Sequence, residues 1–273
     1  MQETEVQKRE RHHQEDLQRL RGFRPIDDTF MRGLFKDNIP LAELVLRIIV
    51  GKPDLTLTKC ETQADLKRVT GARSICLDAY ATDSTGKKYD IEIQRSDNGA
   101  DPHRARYHSS MMDVENLDAD QDYRELPDTY VIFITEKDYY KAGKPVYVIQ
   151  NMNLTLGQPF DDGTHILYVN GEYRDDSDIG KLMHDFNCTS ADDMNFPLFA
   201  ERTRYLKENP KGVGEMCKAM EELRDESRAE GKEEQAIMMA KSLYAQGVPI
   251  EIIAKSSGFS IDTVKGWLTP KAG

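Results

Sequence analysis

The chain has 273 residues, 31% of them charged and 38% hydrophobic, with a formal net charge of −11; that balance suits one sizeable globular α/β domain plus a smaller appendage. No apolar run approaches the roughly 20 residues needed to cross a bilayer, because the longest, Leu44 to Val50, is interrupted by Arg47 and ends at Gly51. The acidic excess excludes a surface that is a nucleic-acid platform throughout, yet leaves room for a local basic patch or a bound divalent metal.

Residues 1–24 mix acidic and basic side chains and lack the apolar centre of a secretion signal, so they read as a peripheral helix and a cytoplasmic location is expected. From Asp28 the pattern changes: Phe30, Leu34 and Phe35 recur at helical spacing. A second helix follows Asn38-Ile39-Pro40, with Leu41, Leu44, Val45, Ile48 and Ile49 on one face, Pro40 in its first turn and Gly51 at its C-cap. Strands are predicted at 55–59, 73–81 and 88–94, the last two joined by a hairpin at Ser84-Thr85-Gly86. Residues 102–117 read as helix, and the unbroken apolar run 129–135 as a strand buried on both faces. Shorter strands are placed at 146–150 and 165–169, an acidic loop within 113–128, and helix for nearly everything after 178.

The strand 88–94 alternates strictly. Tyr89, Ile91 and Ile93 fall on one face; Asp90, Glu92 and Gln94 fall on the other. A hairpin would lay Asp78, in the preceding strand, beside Glu92, and two convergent carboxylates suit a hard divalent cation. An amphipathic hairpin with a solvated polar face explains the alternation equally well. The four cysteines (Cys60, Cys76, Cys188 and Cys217) are scattered without a CxxC pair and frame neither disulfides nor a zinc site. Cys76 reads as a small core residue.

Asp78 followed across a hairpin by Glu92-Ile93-Gln94 resembles the PD-(D/E)xK nuclease superfamily, and more closely its branch of recombination-promoting nucleases and transposases. The resemblance rests on DDTFMRGLF at 27–35, ARSICLDAYATD at 72–83, GKKYDIEIQ at 86–94, RARYHSSMMD at 104–113 and TYVIFIT at 129–135, and covers about residues 27–170. It implies a restriction-endonuclease-like α/β fold, a mixed central sheet flanked by helices with a helical C-terminal extension. It further implies a Mg²⁺-dependent endonuclease acting on DNA, with Mn²⁺ as a substitute ion and a link to recombination or mobile elements.

By the same resemblance Asp78 and Glu92 hold the metal, and Gln94 stands where the superfamily has lysine. Its amide can position a water or bind phosphate but brings no charge and no titrating amine. A degenerate protein that binds DNA or a partner without cutting is therefore the alternative, and a non-nucleic-acid interaction protein a further one. Asp28 matches the acidic residue of the first helix and would complete the metal shell; Asp27 fits nearly as well, and a helix N-cap is the competing reading. Arg95 and Arg104 are the basic groups expected to contact phosphate, with His108 and Tyr107 sharing the helical face of Arg104. None of the six histidines is assigned as a ligand.

Near the C-terminus, Ala236, Ala240 and Leu243 form a helical stripe, and Val248 to Leu268 have the spacing of a helix-turn-helix. Ala254 and Gly258 lie at the turn, Ile252, Ile253, Val264, Trp267 and Leu268 inside, and Ser260 at the second N-cap. Three lysines against one Asp and one Glu over 249–273 leave only a thin positive charge. A packing module that joins copies into a homo-oligomer stands beside a DNA reader exposing Asp262, Thr263 and Lys265. The expected organisation is a peripheral segment 1–24, a nuclease-like domain 25–177, a helical connector 178–247 and the C-terminal unit 248–273.

Overall fold

The computed structural model describes residues 4–66, 75–95 and 97–268, which fall into two compact units, Met1–Cys217 and Lys218–Gly273. The first unit opens with α1 (Glu5–Gly22), α2 (Asp28–Phe35) and α3 (Ile39–Val50). α2 forms because Phe30, Met31, Leu34 and Phe35 all fall on its buried side. α3 is started by the Asn38 side chain, which accepts from the Leu41 N–H at 3.4 Å, and is stopped by Gly51. α1 is less peripheral than its composition suggests: Asp16 and Leu20 are buried among its charged neighbours.

A six-stranded mixed sheet follows, in the order β1-β2-β3-β4-β8-β5. Its strands are β1 (Leu57–Leu66), β2 (Ile75–Asp83), β3 (Lys88–Gln94), β4 (Thr129–Thr135), β5 (Val146–Ile149) and β8 (Thr164–Asn170); β6 (Met152–Asn153) and β7 (Gln158–Pro159) form a separate two-stranded ribbon. β1, β2 and β3 pair antiparallel, β3, β4 and β8 parallel. Every residue of β4 is buried, as its unbroken apolar run requires. The helix α4 (Pro102–Asn116) lies over the sheet, with Ala105, Met111 and Met112 packed among Val131, Phe133 and Tyr168. Complete burial of a side chain such as Phe133 contributes about 1.5–3 kcal/mol. α2 and α3 pack against β1, and α5 (Asp178–Asn187) and α6 (Pro197–Glu208) against α3 and α2. The Ile26 N–H donates to Phe186 C=O just before α2, and Arg202 donates to Gly33 C=O in its last turn, so these later helices hold α2 at both ends.

Three expectations change. β1 runs well past the predicted 55–59 segment, because an edge strand that alternates Lys59, Glu61 and Asp65 outward has no apolar run to reveal it. Residues 73–74 of the predicted strand 73–81 lie outside the described residues, and the strand extends instead to Asp83. Cys76 is exposed rather than core, since it falls on the other side of β2 from Ile75 and Leu77.

The second unit holds most of α7 (Pro210–Ala245) with α8 (Ile250–Ser257) and α9 (Ile261–Leu268). Ala240, Ile253, Ala254 and Val264 form its core, ringed by Leu243, Val248, Ile250, Phe259, Trp267 and Leu268. Gly258 takes the left-handed conformation, φ 78°, that ends α8, and the Ser260 hydroxyl accepts from the Thr263 N–H at 3.1 Å to start α9. Ile252 is exposed, against its expected place in the core; Asp262 and Lys265 are exposed as expected, and Thr263 is half-buried. Residues 269–273, including Lys271, lie outside the described residues. Among the described residues no helix is long and apolar enough to cross a membrane.

Candidate active site

The antiparallel ladder between β2 and β3 runs from Thr82↔Lys88 to Ala79↔Ile91. One step further, side chains take over from backbone. The Asp78 N–H donates to Glu92 Oε1 at 3.0 Å, and the Ile93 N–H donates to Asp78 Oδ2 at 3.2 Å. The two carboxylates are thus laced to the opposite strand, and neither can move away without stranding a backbone donor.

The polar face of β3 is not solvated. Asp90 and Glu92 are both fully buried, because α4 covers them and brings polar partners. His108 Nδ1 lies 2.8 Å from Asp90 Oδ2, Arg104 Nε donates to His108 Nε2 at 3.2 Å, and Arg104 Nη2 donates to Glu92 Oε2 at 2.8 Å. With Nε2 accepting from a guanidinium, the imidazole is neutral and carries its proton on Nδ1, donated to Asp90. Burial lowers the His108 pKa and so favours this state. The result is a continuous chain, Asp90–His108–Arg104–Glu92.

Burial, then the neighbouring charge of Asp28, pushes Asp78 up to about 6. Burial, then Asp90 and Asp78, holds Glu92 well above the usual carboxylate range, and burial followed by Asp78 does the same to Asp90. Four carboxylates, Asp28, Asp78, Asp90 and Glu92, stand against the guanidiniums of Arg32 and Arg104. Fully ionised, they leave two excess negative charges, which one divalent cation would cancel. Asp90 Oδ1 is moreover a buried oxygen with no hydrogen-bond partner among the described residues.

These features fit a hard divalent cation. Asp90, Glu92 and His108 offer ligand atoms within 4.8 Å of one another, but both ring nitrogens of His108 are already engaged. Asp78 is half-buried while its partner Glu92 is buried, so an ion held between these two carboxylates could also reach solvent.

The remaining predicted residues divide. Asp28 lies close enough to raise the Asp78 pKa, and both its oxygens accept from Arg32 at 3.0 Å. It sits in the first turn of α2, with Asp27 at the N-cap position. Asp27 makes no capping bond; its oxygens accept from Arg24 and pair with Arg95 at 3.2 Å. Gln94 is half-buried beside the 3-10 turn Asp97–Ala100, where a Cβ built on Gly99 would come within 1.7 Å of Gln94 Oε1. The absence of a side chain at 99 is what lets the amide lie there. Arg104 Nη1 donates to the Gly99 C=O at 3.3 Å, tying the same turn to α4. Arg95 is exposed and tied to Asp27 and Glu136, the latter at 3.4 Å.

Two parts of this cluster escaped the sequence reading. Asp90 stood on the right face of β3 without a role, and its partner His108 comes from a helix whose placement no spacing encodes. Arg32 stood four residues after Asp28, the spacing of a helical ion pair. It is a third basic group near the site, besides Arg95 and Arg104.

Residues 43–175, just under half of the chain, match the family model of the PD-(D/E)XK nuclease family transposase. The matched stretch contains Asp78, Glu92, Gln94 and all of α4, and starts downstream of the 27–35 block with Asp28. The mixed sheet flanked by helices is the α/β fold of such nucleases. No curated protein and no solved structure matches the chain.

Proposed function

Proceeding from that match, we propose that the chain is a metal-dependent DNA endonuclease that hydrolyses phosphodiester bonds in the service of recombination or mobile elements. The observation that carries the proposal is the laced Asp78–Glu92 pair, buried with an excess of negative charge inside the stretch matched to the family.

Asp78 and Glu92 would hold Mg²⁺, or Mn²⁺ in its place, with Asp28 as a third carboxylate once released from Arg32. Bound there, the ion would supply a water of lowered pKa and offset charge on the phosphate. The Gln94 amide, set by Gly99, orients that water or donates to a phosphate oxygen; it cannot accept the proton. Arg104 supplies the positive charge that the motif's lysine would otherwise bring. Its guanidinium is fixed from behind by His108 and Asp90 and from the side by Gly99. Arg95, exposed and engaged by Asp27 and Glu136, would contact a DNA phosphate once released from them.

Gln94 favours a second reading, in which the same cleft binds DNA or a protein partner without cutting. Glu92→Gln separates the two. For the nuclease, cleavage falls by at least about a hundredfold while salt-dependent affinity for duplex DNA persists. Metal-independent binding by wild type and variant alike, with no cleavage by either, would establish the binding-only reading.

A further inference from the structure

The two edges of the sheet are treated differently. β1 presents Lys59, Glu61 and Asp65 and carries Gln63 in a left-handed conformation, φ 58°; charges and a twisted backbone are the usual guards of an open edge. β5, at the other edge, has neither. From Pro145 to Phe160 the chain contains no Asp, Glu, Lys or Arg, in a sequence that is 31% charged. Among the described residues β5 pairs with β8 alone, and beyond it the chain continues into the β6–β7 ribbon as an arm.

The free edge can be read residue by residue. The Asn170 N–H donates to the Pro145 C=O at 3.0 Å, and the register runs Val146↔Val169 to Ile149↔Ile166. Hydrogen-bonded pairs alternate along an antiparallel ladder, so Tyr147 and Ile149 bond to β8 and Val146 and Val148 turn their N–H and C=O outward. Along β5 and the arm, apolar side chains are open to solvent: Val148 is 60% exposed, Leu154 90% and Phe160 64%, with Ile149, Met152 and Leu156 also exposed. Together these six expose on the order of 700 Å², close to the roughly 800 Å² per partner of a stable interface.

We propose that β5 pairs antiparallel with β5 of a second copy of this chain, about a two-fold axis at Val148. Such an axis keeps each strand's faces on the same side of the joined sheet, and it sets Val148, the most exposed residue of β5, opposite its counterpart, where the outward N–H and C=O of each exchange both hydrogen bonds. The occupant follows from charge. Two copies, each at −11, repel one another least across a surface that carries no charge, and a strip without basic residues offers nothing to a nucleic-acid backbone. The same axis directs each apolar arm toward the 138–145 segment of the other copy, where Tyr140 is exposed.

Sedimentation equilibrium of the full chain tests this. Wild type should sediment at twice the chain mass, and Val148→Lys and Val148→Glu at the single mass, since like charges would face one another across the axis. An equimolar mixture of the two variants should return to twice the mass. Val148→Pro removes only an outward N–H, which an edge strand tolerates, and should also give a single-mass species with wild-type circular dichroism. A monomeric wild type, or a dimer that survives all three substitutions, overturns the proposal. So does a single-mass wild type whose affinity for duplex DNA falls with Val148→Glu, which would assign the arm to nucleic acid.

Discussion

Replacing Asp78 by Asn should make the metal-free protein more stable at neutral pH. In the fold Asp78 keeps its proton up to about pH 6, against an ordinary aspartate value of 3.8. Between those values the folded state binds the extra proton. The contribution of Asp78 to stability therefore falls as pH rises through that window and is constant above it. A shift of about two pH units corresponds to about 3 kcal/mol at 1.36 kcal/mol per unit. Asn retains an oxygen for the Ile93 N–H but has nothing to ionise, so the variant should gain up to about 3 kcal/mol over wild type at neutral pH and nothing below about pH 4. Urea unfolding of both proteins across this range, in EDTA, reads the difference directly. Adding Mg²⁺ at a hundred times its Kd should restore about 2.7 kcal/mol to wild type and little to the variant. A gain that does not change with pH, or no gain at neutral pH, would refute the claim that Asp78 is held ionised at a cost in the folded state.

His108→Leu should cost about 1–3 kcal/mol by stranding the buried Asp90 oxygen, and Asp90→Leu with His108→Leu should cost clearly less than the two single changes summed; additive costs in urea unfolding would dissolve the pair. Gly99→Ala should displace the Gln94 amide and lower metal-dependent cleavage by about tenfold or more, with a thermal midpoint near that of wild type; unchanged cleavage would mean that the amide position is unimportant. Gln94→Lys should raise cleavage by restoring a cation beside Glu92, measured as initial nicking rate. A lower rate would show that Arg104 already fills that role and that a second cation interferes.

Much of the fold could be read in the residues because local pattern and burial coincide there. β4 is apolar throughout and buried throughout, and the turn at Ser84–Gly86 forces β2 against β3, which alone sets Asp78 beside Glu92. The part of β1 beyond Lys59 escaped because an edge strand guarded by charges looks like loop. Alternation in β3 correctly separated Asp90, Glu92 and Gln94 from their apolar neighbours but left open whether that face lines a site or meets water. What lies there is α4, and periodicity within one strand says nothing about which helix covers it. The His108–Asp90 contact spans 18 residues and depends on the docking angle of α4, so only tertiary structure could bring it out. Asp28 with Arg32 was within reach, as a pair spaced one helical turn apart.

The central claim, that Asp78 and Glu92 hold a metal that cuts DNA, is tested most directly by incubating supercoiled plasmid with wild type and with Asp78→Ala/Glu92→Ala in Mg²⁺, Mn²⁺ or EDTA. The account predicts nicking by wild type with either ion, none in EDTA, and none by the double variant under any condition. Equal nicking by the double variant, or none by a folded wild type with either ion, would contradict it.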